Sequence, residues 1–135
     1  MTAGSGSLHE SADKLAPETV DRHRAIVSLM EELEAVDWYD QRVDAAGDPE
    51  LRQILAHNRD EEKEHAAMML EWLRRHDPKL AEHLKTYLFT DGNILEIEKQ
   101  DTAGAAAPGV PAAPESGADG SLGIGSLRQE GTRDE

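Results

Sequence analysis

Arg59-Asp60-Glu61-Glu62-Lys63-Glu64-His65-Ala66-Ala67-Met68-Met69-Leu70 consists mostly of strong helix formers, without Gly or Pro, and reads as α-helix from end to end. Turned at about 100° per residue, it puts Glu62 at the centre of a stripe with Leu51, Leu55, Asn58, Ala66, Met69 and Leu73. His65 follows three residues later, on a neighbouring position of the same face. A carboxylate and an imidazole in an apolar stripe are costly unless something compensates them. A metal ion compensates both at once, taking a carboxylate oxygen and an imidazole nitrogen. Glu-x-x-His is short, however, and arises by chance in many acidic helices. The rest of the chain decides its weight.

The helix carrying this stretch begins at Asp48-Pro49-Glu50: an N-cap, a proline at the first helical position, then an acid. It runs to about Arg75. Arg74, Arg75 and His76 suit its negative end, and Pro78 blocks continuation. A helix of nearly equal length precedes it. Pro17 and Glu18 open that helix, and Ile26, Leu29, Leu33, Val36 and Val43 recur at helical spacing as its expected buried face. Ala45-Ala46-Gly47 ends it, with Gly47 expected as the left-handed residue after the last turn. Each helix has roughly 28 residues, or about 42 Å of length. The turn between them is short, so they must lie antiparallel as a hairpin.

Glu32 sits at the edge of the apolar stripe of the first helix, near Leu29, Val36 and Tyr39, whereas Glu31 and Glu34 project to another side. Antiparallel pairing about Gly47 brings Glu32 level with Glu62, each about 22 Å from the turn. Two unrelated carboxylates seldom share a height. The competing reading is a buried hydrogen-bonded pair involving Asn58. A di-iron bundle takes one glutamate from each of two helices and one Glu-x-x-His from each of the other two. This chain supplies one of each, which is half a site on half a bundle. A symmetric homodimer would complete both, joining four glutamates and two histidines.

Pro78 to Phe89 reads as a shorter third helix using Leu80, Leu84, Tyr87 and Leu88, broken by Asp91-Gly92-Asn93. Ile94 to Gln100 reads as a further turn of helix. The expected fold is all-α: a two-helix hairpin with a short third helix, half of a four-helix bundle completed by dimerisation. Residues 1–16 are expected to be a flexible arm, 17–99 the helical domain, 100–120 an Ala/Gly/Pro-rich linker and 121–135 a tail. In that tail Leu122, Ile124 and Leu127 stand between small residues, an odd place for large aliphatics unless another molecule buries them.

Composition narrows the chemistry. The 135 residues suit one small domain, and the five aromatics (Trp38, Tyr39, Trp72, Tyr87, Phe89) all lie mid-chain, so the core is marginal for a lone chain. There is no cysteine, which excludes disulfides, thiolate sites and thiol catalysis. Carboxylates and imidazoles suit Fe, Mn, Mg or Ca. A formal charge of −14 argues against nucleic acid and anionic membranes as partners. With no membrane-length apolar run and no visible signal peptide at Met1 to Glu10, the expected compartment is the cytoplasm.

The sequence resembles the encapsulated ferritins, ferritin-like cargo of encapsulin nanocompartments, from about Pro17 to Phe89. The resemblance is carried by Arg22-His23-Arg24-Ala25-Ile26-Val27-Ser28, by Met30 to Arg42 with Glu31-Glu32-Leu33-Glu34 and Asp37-Trp38-Tyr39-Asp40, and by His57-Asn58-Arg59-Asp60-Glu61-Glu62-Lys63-Glu64-His65. It returns at Leu122-Gly123-Ile124-Gly125-Ser126-Leu127-Arg128, which looks like an encapsulin-targeting peptide. The resemblance implies a ferroxidase that oxidises Fe2+ to Fe3+ with O2 at a di-iron centre. Its ligands would be Glu32, Glu62 and His65, with Tyr39 and Trp38 lining or approaching it. It also implies a homodimer, an annular decamer, and iron storage by a shell bound through residues 121–128. Glu31 and Glu34 would form a metal entrance between subunits, against the plain alternative of a solvated acidic face. His57, Glu61 and Glu64, at i, i+4 and i+7, could hold a cation weakly, although surface charge beside Lys63 and Arg59 is the simpler reading. Ca2+ is the cation expected at such secondary clusters. The rival functions are another di-iron oxidase or peroxidase, and a non-catalytic metal-binding cargo protein.

Overall fold

Local chemistry sets each helix boundary. A computed structural model describes residues 6–106, and the regular structure among them is entirely helical: a 3-10 turn at Ala12–Lys14, then α1 (Pro17–Ala45), α2 (Pro49–His76), α3 (Pro78–Tyr87) and α4 (Ile94–Ala106). Proline stands at the start of α1 and α2, where its missing N–H costs nothing. Asp48 caps α2, its carboxylate accepting the Leu51 N–H at 2.8 Å. Asp77 does the same for Leu80 at 3.0 Å in α3, and Asn93 accepts from Leu95 and Glu96 at 3.0 and 3.2 Å in α4.

The turn between α1 and α2 differs from the expectation. Gly47 adopts no left-handed backbone, and a side chain there would meet nothing within 4 Å. Ala46 is already extended (φ −70, ψ 128), closing the last turn of α1 with its N–H on the Arg42 carbonyl at 2.9 Å. Asp48 must be extended too, because it is an N-cap and because it precedes proline. Arg52 then donates to the Ala46 carbonyl at 3.0 Å. Two other boundaries move. Helix α3 ends at Tyr87 rather than Phe89, whose φ of 60 places it in the left-handed region. Helix α4 continues to Ala106, into the stretch read as linker.

The chain divides into two compact units at Glu82/His83. In the first, α1 lies along α2, and the buried side chains among the described residues are Ala25, Ala66 and Leu73. Leu29, Val36 and Val43 are half-buried on the same seam. Ile26 and Leu33, expected on the buried face, are 46% and 54% exposed. They stand roughly 70–90° around α1 from that seam, and one facing helix covers only a narrow arc. The N-terminal arm is not wholly detached. Gly6 lies beside α1, where a Cβ would stand 3.8 Å from Val27 Cγ1. In the second unit, Tyr87 has its pKa raised, chiefly by burial and then by the charges of Glu98 and Asp101. No helix among the described residues is long and apolar enough to cross a membrane. Residues 1–5, the linker beyond Ala106 and the tail at 121–128 fall outside the described residues.

Candidate metal centre

Glu62 and His65 are three residues apart on α2, and their heads meet: His65 Nδ1 stands 3.2 Å from Glu62 Oε2. The antiparallel α1 brings Glu32 to the same height, with Glu32 Oε2 3.6 Å from His65 Nδ1. One ligand atom from each of the three lies within 4.8 Å of the others. Among the described residues this is the one group of three or more acids and histidines so arranged. Glu32 and Glu62 are half-buried, and the His65 ring is 46% exposed.

The electrostatics follow from crowding two carboxylates and an imidazole. Glu32 has its pKa raised, first by a hydrogen bond to Glu62, then by burial and by the Glu62 charge. Glu62 has its pKa lowered, first by the hydrogen bond from Glu32 and then by His65. The two shifts belong to one interacting pair, Glu32 holding its proton more tightly than an ordinary glutamate and Glu62 less tightly. His65 is raised as well, chiefly by its hydrogen bond with Glu62 and further by the Glu32 charge. Two anions this close need positive charge between them. A divalent cation bound by two carboxylates and a neutral imidazole would supply it. The donor set of oxygens and one nitrogen suits iron.

The centre opens on one flank of the hairpin. On that flank of α2, Ile54 and Met68 are 51% and 57% exposed, and Leu51 is also exposed. Leu29 and Val36 of the α1 stripe and Leu55 and Met69 of the α2 stripe are half-buried. Tyr39 is half-buried under the Arg42 guanidinium, 5.4 Å from the ring centroid. Trp38 projects outward and is exposed. Glu31 and Glu34 are exposed and apart from the cluster. His57 pairs with Glu61 at 3.0 Å, while Glu64 lines a groove of about 470 Å³ with Met68, Glu71 and Trp72. Sequence reasoning put Arg59 with this surface charge. Instead it reaches across to α1 and binds Asp40 at 3.0 Å, on the flank opposite His65.

A family model described as EncFtn-like matches residues 7–91. The chain is 67% identical over 131 residues to an "Encapsulated ferritin-like protein" of Rhodospirillum rubrum, covering 96% of this chain and 94% of that one. It is 35% identical over 109 residues to an "Encapsulin nanocompartment cargo protein" of Myxococcus xanthus, covering 76% and 81%. A crystal structure of a Nitrosomonas europaea protein matches at 62% identity with a TM-score of 0.64, covering 65% of this chain and 97% of that one.

Proposed function

The chain belongs to the EncFtn-like family, and from that premise we propose that it is a ferroxidase packaged within an encapsulin shell. The observation that carries the reading is the convergence of Glu32, Glu62 and His65 within 4.8 Å. Fe2+ is the substrate. Glu32 and Glu62 bind it as anions, and His65 binds it as neutral imidazole. Carboxylate ligands favour Fe3+ over Fe2+, which lowers the potential and drives electron loss to O2. Each Fe2+ gives up one electron. A second copy of the chain would contribute a second set of the same ligands and so make a di-iron centre across a two-fold axis. Tyr39 stands by as a redox-active ring close to the seam.

The test is aerobic Fe2+ oxidation followed as O2 uptake. Wild-type protein accelerates it, and Glu32→Ala, Glu62→Ala and His65→Ala each slow it by at least about ten-fold, since loss of even an outer-shell partner of a metal site costs that much. Metal binding without O2 uptake would instead identify a non-catalytic metal-binding cargo protein.

The relatives' names speak of encapsulation, and this chain carries Leu122, Ile124 and Leu127 at its end. We propose that residues 121–128 dock these three side chains in an apolar groove of the shell wall, placing the protein inside the compartment in the cytoplasm. Burial of three aliphatics gives several kcal/mol before ordering costs, so a single tail binds at about micromolar strength and an oligomer holds by many tails. Co-expression with a cognate shell should package the full chain and leave out a chain ending at Asp119. Equal packaging of the two would remove the tail from the account.

A further inference from the structure

We propose that the Arg59–Asp40 ion pair is a positioning clasp for the metal centre, holding α1 against α2 so that Glu32 stays level with Glu62 and His65. The inference rests on the metal-centre reading. Its geometry is complementary to that of the ligands. Around α2, His65 and Arg59 lie about 60° to either side of Glu62. Around α1, Glu32 and Asp40 flank the seam in the same way. One flank carries the ligands and opens outward, and the other carries the clasp. Side chains lean toward the N-terminus of their own helix. Arg59 therefore leans toward the interhelix turn and Asp40 away from it, and they meet at 3.0 Å although offset along the hairpin.

Burial shows why such a clasp is needed. Ala25, Ala66 and Leu73 are the buried side chains among the described residues of the hairpin, and all three lie beyond the centre as seen from the turn. No described residue between the centre and the turn is buried. In that half, Arg59–Asp40 is the specific ionic link between the helices. Arg59 is itself braced: its Nε donates to Asp60 at 3.0 Å, and the guanidinium-bearing side chain is 23% exposed. Without the link, only the Arg52 bond to the Ala46 carbonyl at the turn and the half-buried seam residues oppose a small slide or rotation of α1. Ligand atoms must hold within about 0.5 Å to bind a metal well.

Co2+ reads the ligand geometry by its visible absorption and needs no O2. Full-length wild type, Asp40→Asn, Arg59→Gln, the charge swap Asp40→Arg/Arg59→Asp, and Glu71→Gln are titrated with Co2+, with helicity and Tm recorded. Glu71 binds Arg74 and Arg75 on α2 alone, so its loss weakens the fold without touching the clasp. The two single variants should bind Co2+ about two- to five-fold more weakly at unchanged helicity, the range a partly exposed ion pair supplies. The swap should regain most of the loss, and Glu71→Gln should keep wild-type affinity. Wild-type affinity in both single variants overturns the clasp whatever happens to Tm, and so does an equal loss in Glu71→Gln. A wild-type chain that takes up no Co2+ overturns the metal-centre reading itself.

Discussion

His65 titrates in a setting that gives the metal-free protein a definite pH dependence. Its pKa lies above the ordinary 6.5 because Glu62 accepts its hydrogen bond and Glu32 adds negative charge. A raised imidazole contributes stability that is fully present below about 6.5 and is lost as pH rises through the folded value. Glu32, also raised, acts in the same direction but from a lower starting pH. Metal-free protein should therefore lose thermal stability as pH rises from 6 to 8, and His65→Gln should flatten the curve. Added Co2+ should reverse the trend, because binding displaces the same protons and is favoured as pH rises. A Tm series in the two states checks this, and parallel curves would show that no metal competes for those protons. The three residues were legible in the sequence because helical period and distance from the turn are properties of single helices. Arg59 was not. Whether an arginine three positions before Glu62 points to solvent or across the seam depends on the rotation of α2 against α1, which periodicity leaves open by tens of degrees. The roles of Glu31, Glu34, His57, Glu61 and Glu64 stayed open for a different reason: exposed acids on an acidic chain show the same pattern whether or not they hold a cation.

Helix ends were easier to read than helix faces. Pro49 and Pro78 mark starts by covalent geometry, and Asp48 and Asp77 before them are both caps and residues that proline pushes to extended backbone. Gly47 misled because glycine suggests a left-handed cap, whereas the following Asp-Pro pair already imposes the bend. Faces failed where the apolar arc was wider than one partner covers, as at Ile26 and Leu33. The Asp48 cap gives a direct test. Its 2.8 Å bond to Leu51 satisfies an N–H that is otherwise unpaired within the helix, and Asp48→Ala should lower unfolding free energy by about 1 kcal/mol. Urea denaturation followed by helical circular dichroism measures it. A change below about 0.3 kcal/mol would mean that Pro49 and the Arg52 bond to Ala46 alone set the start of α2.

A hairpin with only three buried side chains among its described residues cannot be expected to stand alone, and the position of its uncovered surface says what should cover it. Leu51, Ile54 and Met68 are exposed on the flank of α2 that also bears His65. The ligand set is open on that side, with the imidazole 46% exposed. Apolar surface around an incomplete ligand set is the pattern expected where a second copy docks face to face, since a two-fold axis then buries both patches and brings the two ligand sets together. The net charge of −14 opposes that union, because each copy adds its own acids near the axis. Divalent metal removes the opposition where it is greatest. Association should thus depend on metal by mass action: ligand that binds the dimer and not the monomer shifts the equilibrium with its own concentration. Light scattering on the metal-free chain at low salt should give the smaller species, and stepwise Fe2+ under anaerobic conditions, or Co2+ in air, should raise the mass. Screening by salt should favour association without metal. Met68→Lys should weaken it in both cases by placing a desolvated charge in the interface. His65→Ala should abolish the response to metal while leaving the response to salt. A folded monomer whose mass is unchanged by Co2+ and which still oxidises Fe2+ would show that one hairpin carries a complete centre. The apolar flank would then belong to some other contact.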